Sequence, residues 1–300
     1  MADGRLGRLG VWGHLDSLSV AEARAYAERI ERLGFSALWV PETVGREPFT
    51  LLALLAGTTR TLRLGTSIAS IWGRDAQTTR MAAMTLAEAT RGRFVLGIGV
   101  SHAHLAGRLR GHEYDKPLTR MREYLAVYRR AIYKGPGQDD VAEPPVLLAA
   151  LRDRMLDLAA SQTDGAFPYL VTAERVGWMR QRLDANSAGD RQPLLAVTLP
   201  VVVDPDPGRA ADAARAYLKP YLRTPNYRAS WSEQGFGEQD WSGRGSDQLV
   251  DAMVARGGAR EIRPRIDELH GAGADHVALI PLDALGVSED LPALESLRPR

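Results

Sequence analysis

A histidine that follows a short apolar run is the strongest candidate for chemistry in this sequence. The run 94–100 is followed by Ser101 and His102, and His104 lies two residues further on. Imidazole titrates near neutral pH, so His102 could act as a general acid or base. It could equally be a loop histidine that caps the next helix, and spacing alone favours neither interpretation.

Other apolar runs also end in small or polar side chains. The run 62–69 holds Ser67 and ends before Ser70, and Glu42 follows the run 35–40. Runs without polar alternation are typical of strands that a parallel sheet buries on both faces. The polar residues at their ends are then expected at one edge of the sheet, where a ligand can reach them.

Strands of this kind alternate with helices along the chain, which predicts an α/β fold, a (β/α)8 TIM barrel in one domain spanning residues 1–300. The predicted strands are 6–12, 35–40, 62–69, 94–100, 146–150, 165–167, 194–203 and 276–281. The predicted helices are 19–33, 49–59, 77–90, 118–133, 152–161, 172–186, 206–218 and 260–271. The alternative is an open doubly wound sheet. It is disfavoured because Gly97-x-Gly99 lacks the third glycine of a dinucleotide-binding turn, position 102 being histidine.

Reactive groups of a TIM barrel lie at the carboxyl ends of its strands. The polar candidates there are His14, Glu42 with Thr43, Ser67 to Ser70, Ser101 with His102 and His104, Arg152, and residues 168–172. A metal site is not predicted, because the two histidines of His102-x-His104 lack a companion carboxylate and further histidines at metal-ligand spacing.

Two residues after later strands could hold a phosphate. Thr172 begins a predicted helix, whose free N–H groups and dipole attract anions, and Arg152 follows the fifth strand. Threonine is also an ordinary N-cap residue, and a surface ion pair is the more common role for such an arginine.

The segment 219–247, between the seventh and eighth predicted strands, is long and glycine-rich. Its aromatic residues are Tyr221, Tyr227, Trp231, Phe236 and Trp241. An insertion at this position could form a lid or a substrate wall over the active face. It could equally be a helical hairpin that packs on the barrel or on a subunit partner.

Composition narrows the class of protein. The 300 residues include 38 Lys and Arg against 37 Asp and Glu, a formal net charge of +1, and no cysteine. The balanced charge argues against nucleic acid or a membrane surface as the main partner. The lack of cysteine excludes disulfides and thiolate chemistry and fits a reducing cytoplasm. No apolar run reaches the roughly 20 residues of a membrane span, so we expect a cytoplasmic protein.

Three motifs in register resemble the bacterial luciferase-like monooxygenase superfamily: GFSALWVPE at 34–42, LGTSI at 64–68 and RGRFVLGIG at 91–99. They are most similar to the branch that uses the deazaflavin coenzyme F420, and FMN is the alternative cofactor. The resemblance implies a (β/α)8 barrel, a flavin-type ring over the strand ends, a homodimer, and hydride transfer between the deazaflavin and a small organic substrate. Two alternatives stay open: an FMN-dependent monooxygenase and a non-catalytic flavin-binding protein.

The resemblance also implies roles for individual residues. The non-proline cis peptide that supports the ring in this family falls on Ser67-Ile68, and phosphate contacts fall on Arg152 and residues 168–172. The expected cofactor-binding residues are Trp12, Glu42, Ser67, Ile68, Ser70, Gly99, Ser101, Arg152, Pro168, Tyr169 and Thr172. Substrate contacts are expected from His14, His104 and Trp231.

Some positions depart from the family pattern. Relatives often carry a catalytic histidine after the second strand, where this chain has Thr43, which cannot act as a base near neutral pH. His102 stands where a sugar-phosphate-oxidising relative has a proton-donating glutamate. We therefore expect His102 to transfer the proton and Glu42 to contact or orient the ring. Leu151 and Arg152 replace the paired glycines of some relatives after the fifth strand.

Overall fold

In the part of the chain that the structure describes, every strand pair is parallel. The computed structural model describes residues 6–136, 141–189, 191–285 and 291–299. Within these residues the strands are β1 (Leu9–Trp12), β2 (Ala37–Val40), β3 (Arg63–Thr66), β4 (Ala69–Ser70), β5 (Phe94–Gly99), β6 (Val146–Leu148), β7 (Gly165–Ala166), β8 (Leu194–Val203), β9 (Ala255–Gly257) and β10 (His276–Leu282). The α-helices in the same residues are α1 (Val20–Arg32), α2 (Pro48–Ala56), α3 (Ala76–Ala89), α4 (Pro117–Arg130), α5 (Asp153–Gln162), α6 (Ala173–Ala185), α7 (Pro207–Leu218), α8 (Pro225–Ser232), α9 (Glu238–Trp241), α10 (Asp247–Met253), α11 (Ala259–Gly271) and α12 (Leu291–Leu297). In this described part of the chain, no helix combines the length and apolarity needed to cross a bilayer.

The sheet closes on itself. β1 pairs with β2 on one side and with β10 on the other, and the series continues through β3, β5, β6, β7 and β8 back to β10. β3 and β4 are two parts of one barrel strand, since both pair with β5. The eight predicted strands therefore form a closed TIM barrel, and the open-sheet alternative is wrong.

The start of α1 shows how well local sequence fixes these elements. The hydroxyl of Ser19 accepts a hydrogen bond from the Glu22 N–H at 3.2 Å, and the Glu22 carboxylate accepts one from the Ser19 N–H at 2.8 Å. This capping box satisfies two of the N–H groups that a helix leaves free at its start. The helix predicted at 19–33 is thereby confirmed.

Neighbouring residues of each barrel strand belong to two different cores. Val11, Leu38 and Leu64 pack outward against helix residues, whereas Trp12 and Trp39 belong to a core inside the barrel. This alternation follows from the two-residue period of a strand. The inner core continues from the barrel into the segment after α7, so that segment covers one end of the barrel.

Trp39 and His276 fill the barrel interior. The Trp39 indole N–H donates to His276 Nε2 at 2.9 Å, and a side chain on Gly65 would collide with the Trp39 ring. His276 Nδ1 therefore carries the proton, which it donates to the Gly7 carbonyl oxygen at 2.5 Å. Burial lowers the pKa of His276 to about 4, so the imidazole, whose two nitrogens are both hydrogen-bonded, stays neutral near pH 7. Its role is to fill and hold together the barrel interior.

The insertion before the last strand is helical. It contains a short 3-10 turn (Tyr221–Arg223), α8, α9, α10 and β9. Trp231 of α8 is fully buried, and its indole N–H donates to the Leu170 carbonyl oxygen at 3.2 Å. The insertion thus packs directly on the loop that follows β7.

Candidate active site

Three strand ends meet at the peptide between Ser67 and Ile68, which separates β3 from β4 and is cis. The Trp12 indole N–H donates to the Ser67 carbonyl oxygen at 3.0 Å. The Ser67 N–H donates to the Val40 carbonyl oxygen at 2.8 Å, and the Glu42 N–H donates to the Ile68 carbonyl oxygen at 3.3 Å. The cis geometry expected from the family resemblance is present, and the residues predicted at the ends of the first three barrel strands lie together.

Two glycines of β5 let this peptide approach closely. A Cβ on Gly97 would lie 2.0 Å from the Thr66 carbonyl oxygen, and one on Gly99 would lie 2.6 Å from Ile68 Cδ1. The Thr66 hydroxyl also donates to the Gly97 carbonyl oxygen at 2.7 Å and accepts from the Gly97 N–H at 2.9 Å. The space beside these glycines is therefore occupied by the chain itself, and they fix the position of residues 67 and 68.

Glu42 is the centre of a buried ion-pair network. Its side chain is 4% exposed, and one carboxylate oxygen accepts from Arg74 at 2.7 Å and from the Ser70 N–H at 2.9 Å. The other oxygen accepts from Arg110 at 2.5 Å. Because both oxygens are engaged, the geometry favours the orienting role for Glu42 over direct contact with a ring. Arg74 and Arg110 were not among the predicted site residues.

Thr43 is tied to a carboxylate that sequence reasoning missed. Its hydroxyl donates to Asp16 Oδ2 at 2.5 Å, and His14 Nε2 lies 3.4 Å from the same oxygen. The Arg46 N–H donates to the other Asp16 oxygen at 2.9 Å. His14 in turn stacks on Trp12, with ring centroids 6.4 Å apart. Asp16 thus links the position of the missing family histidine to the first strand end.

His102 lies between the end of β5 and the insertion. Its imidazole stacks on the exposed His104 at 5.8 Å and contacts the Tyr227 ring at 5.4 Å, centroid to centroid. The capping contact to the following turn is made by the His102 carbonyl oxygen, which accepts from the N–H groups of Leu105 and Ala106, both at 3.0 Å. The imidazole therefore takes no part in capping the turn, and it faces the insertion through Tyr227.

The protonation state of His102 follows from its surroundings. Burial, reinforced by the neighbouring His104, lowers the pKa of His102 to about 4. The imidazole is therefore neutral near pH 7, with one N–H and one free ring nitrogen. Among the described residues, no three His, Asp or Glu side chains lie close enough together to hold a metal ion.

Three tyrosine hydroxyls meet over the barrel mouth, and we call Tyr169, Tyr217 and Tyr221 the hydroxyl cluster. The Tyr169 hydroxyl lies 3.0 Å from that of Tyr221 and is also hydrogen-bonded to that of Tyr217. Burial raises the pKa of each above its usual value, so all three stay protonated. The Tyr169 ring lies 6.2 Å from Trp12 and 5.9 Å from Tyr227, centroid to centroid.

Only part of this hydroxyl cluster can be predicted from the sequence. Tyr169 was predicted as a cofactor contact, and Tyr221 was noted as one aromatic residue of the insertion. Tyr217 was missed. The available signal was the four-residue spacing of Tyr217 and Tyr221, which places both on one face of a helical turn.

The start of α6 is already occupied by side chains of the insertion. The Thr172 hydroxyl accepts from the Arg175 N–H at 3.2 Å, the ordinary N-cap contact, and the Thr172 N–H donates to Gln234 Oε1 at 2.8 Å. Arg175 is buried and pairs with Glu233 at 2.5 Å. A phosphate at this helix start would have to displace Gln234.

The remaining predicted residues differ in accessibility. Pro168 and Trp231 are buried, and Trp231 packs behind Tyr227 at 5.9 Å between centroids. Arg152 is exposed directly before α5, and no carboxylate of the described residues pairs with it. Ser101 is half-buried at the end of β5, with a positive φ of 53°. An anion contact was predicted at Arg152 and at residues 168–172, and of these two places Arg152 is the one that is exposed to solvent.

Comparison with known proteins places this geometry in context. A family model described as luciferase-like monooxygenase matches residues 6–276. A protein of Mycobacterium tuberculosis named as a coenzyme F420-dependent oxidoreductase is 29% identical over 281 residues, which cover 82% of this chain and 79% of the relative. The 5,10-methylenetetrahydromethanopterin reductase of Archaeoglobus fulgidus is 27% identical over 293 residues, covering 85% of this chain and 88% of the relative.

A solved structure shares the fold over nearly its whole length. It is an F420-dependent secondary alcohol dehydrogenase in complex with an F420-acetone adduct, with a TM-score of 0.73. The match covers 98% of this chain and 99% of the other at 14% sequence identity. At that identity the likeness concerns the fold alone.

Proposed function

The chain belongs to the luciferase-like monooxygenase family, and from that premise we propose that it is a coenzyme F420-dependent oxidoreductase. It would transfer a hydride between the deazaflavin and a small organic substrate. The observation that carries the proposal is the meeting of Trp12, Ser67 and Glu42 at neighbouring strand ends, joined by the hydrogen bonds described above. The relative named for F420 dependence supports the deazaflavin over FMN.

The residues at these strand ends fit a flat ring. Ser67, Ser70 and Ser101 are small, and Trp12 adds a broad aromatic face beside them. Ile68 fills the space at Gly99, so the floor of the site is closed by the protein itself. We assign the ring contacts to these residues and give Glu42 the task of holding Ser70 and Arg110 in place.

The anionic end of the cofactor fits less completely. The N–H of Thr172 is engaged by Gln234, whereas the exposed guanidinium of Arg152 has no carboxylate partner in the described part of the chain. We therefore assign the phosphate contact to Arg152 first. Thr172 joins it only if the insertion moves Gln234 away.

A bound deazaflavin supplies a hydride donor or acceptor, and one proton must then move to or from the substrate. His102 and the nearby tyrosines are the protein groups available for that proton. The neutral His102 imidazole can accept a proton at its bare ring nitrogen while the proton on the other nitrogen leaves, so a concerted relay leaves the ring neutral. The hydroxyl cluster stays protonated at neutral pH and can donate hydrogen bonds to a substrate oxygen.

Equilibrium titration of the purified protein with F420 and, separately, with FMN tests the cofactor assignment. We expect F420 to bind at least tenfold more tightly. Tighter binding of FMN would favour the monooxygenase alternative. Tight F420 binding without turnover on a panel of ketones, alcohols, imines and alkenes would favour a non-catalytic flavin-binding protein.

Two further predictions concern the oligomeric state and the cellular location of the protein. We propose a homodimer, which light scattering during size-exclusion chromatography tests, and a cytoplasmic location, which cell fractionation tests. Both come from the family resemblance and the composition rather than from the barrel geometry.

A further inference from the structure

A cavity lies between the end of α7 and the insertion, apart from the strand ends. Its volume is about 530 Å³, within the range of sites for organic ligands. Five cationic side chains and one carboxylate line it: Arg215, Lys219, Arg223, Arg228, Arg244 and Asp212. We call it the basic pocket. The whole chain carries a formal charge of only +1, so this concentration of positive charge is local.

The basic pocket and the hydroxyl cluster lie on opposite sides of one segment, the end of α7 and the turn that follows it. Arg215 and Lys219 are four residues apart, on one face of the end of α7. Tyr217 and Tyr221 follow the same spacing two residues later and point their hydroxyls at Tyr169. One segment thus presents hydroxyls to the barrel mouth and cations to the pocket.

Few carboxylates compensate the cations of the basic pocket. Arg244 pairs with Asp212 at 2.6 Å, and both side chains are about 70% exposed, which makes the pair weak. Arg215 pairs with the exposed Asp247. Within the described ranges, neither Lys219 nor Arg223 has a carboxylate partner.

The side chain of Arg228 is held by an uncharged group, which leaves its positive charge uncompensated. Its Nε–H donates to the Leu222 carbonyl oxygen at 2.6 Å, which fixes the guanidinium but leaves its charge. At least three positive charges therefore remain around one concave surface. Such a surface repels cations and concentrates anions from solution. The Trp241 ring and Leu222 add an apolar wall, against which the carbon skeleton of a ligand can pack.

We propose that the basic pocket binds a small organic polyanion that carries at least two phosphate or carboxylate groups. A single small anion would fill only a fraction of a cavity of 530 Å³. Arg223 and Lys219 supply the uncompensated charges, Arg228 a fixed guanidinium, and Trp241 the apolar contact. The anionic groups belong either to a separate ligand or to the far end of a molecule bound at the barrel mouth.

Isothermal titration calorimetry tests the pocket, with pyrophosphate and citrate as probes at low ionic strength. We expect saturable binding of at least one probe, weakened at least tenfold in the double variant Lys219→Gln/Arg223→Gln. The matched control is Arg60→Gln/Arg122→Gln, which removes the same charge from exposed sites elsewhere and should leave the dissociation constant unchanged. If the double pocket variant does not fold, the single variant Arg223→Gln, at an exposed position, replaces it, with an expected loss of at least threefold.

Two results would overturn the proposal: no saturable binding of either probe, or equal weakening in the pocket and control variants. Repeating the titration with F420-saturated protein then identifies the source of the anion. Unchanged probe binding indicates a separate ligand, and competition indicates that the cofactor's own anionic groups reach the pocket. The titration of the cofactor-free protein tests the basic pocket alone. Its result does not depend on whether the protein uses F420, so the failure of the pocket and the failure of the proposed function can be told apart.

Discussion

The indole N–H of Trp12 donates a 3.0 Å hydrogen bond to the carbonyl oxygen of Ser67, across 55 residues of sequence. This bond joins the end of β1 to the break between β3 and β4. It also places the Trp12 ring between that break and Tyr169, whose ring centroid is 6.2 Å away. The proposed ring site and the hydroxyl cluster are therefore connected through one side chain.

Replacing Trp12 with Phe keeps an aromatic ring and removes this hydrogen bond. A bond of this kind contributes about 0.5–1.5 kcal/mol, so we expect the dissociation constant for F420 to rise about twofold to tenfold. Fluorescence titration measures it. The control is Trp178→Phe, which alters an indole packed against Arg175 and Arg182 on α6, away from Ser67. Equal effects of the two substitutions would contradict the role given to Trp12.

Glu42→Gln should lower the free energy of unfolding much more than the control substitution Glu47→Gln does. The substitution leaves Arg74 and Arg110 without the carboxylate that both bind in a buried setting, and such a loss costs about 3 kcal/mol or more. Glu47→Gln is the control, because Glu47 binds the same Arg74 at 2.8 Å but is 45% exposed, and it should cost at most about 1 kcal/mol. Urea unfolding measures both free energies. Similar losses in the two variants would show that the Glu42 network is not the anchor proposed here.

The His102 imidazole should titrate far below neutral pH. Its folded-state pKa of about 4 lies below the ordinary value of 6.5. Between these values the unfolded chain binds a proton that the folded chain does not, so stability falls as the pH falls through this interval. An NMR titration follows the ring protons directly, and His102→Asn identifies their signal. A midpoint near 6.5 would contradict the burial of this side chain against Tyr227.

Tyr169→Phe should impair catalysis more than it impairs folding. The change removes the hydroxyl at the centre of the hydroxyl cluster and leaves those of Tyr217 and Tyr221 without their common partner. We expect kcat/KM to fall at least tenfold, with stability lowered by about 1–3 kcal/mol. Tyr133→Phe is the control, because among the described residues the Tyr133 hydroxyl makes only a long, exposed contact of 3.5 Å to the Pro136 carbonyl oxygen. Full activity in Tyr169→Phe would remove the hydroxyl cluster from the mechanism.

The barrel could be predicted from the sequence because its signals are local. Apolar runs mark the strands, and caps such as Ser19 with Glu22 mark the helix starts. The strand predicted at 194–203 has the same bounds in the structure. The strand predicted at 62–69 is instead broken at residues 67 and 68, and the family resemblance, not the apolar pattern, pointed to that place.

The connections within the candidate site could not be predicted, because they join residues distant in sequence. Arg110 binds Glu42 across 68 residues, and Gln234 binds the Thr172 N–H across 62. Nothing in the local pattern around an arginine or a glutamine specifies such a partner. The helices of the insertion are short, and turns of four to eight residues carry too few apolar positions to show a period.

A crystal soaked with coenzyme F420 tests the central claim most directly. The account predicts electron density for the deazaflavin ring at the strand ends, against Ser67, Ile68 and Trp12, with His102 and Tyr169 on the substrate side. Density for the ring elsewhere on the protein, or none at a cofactor concentration that saturates binding in solution, would contradict it.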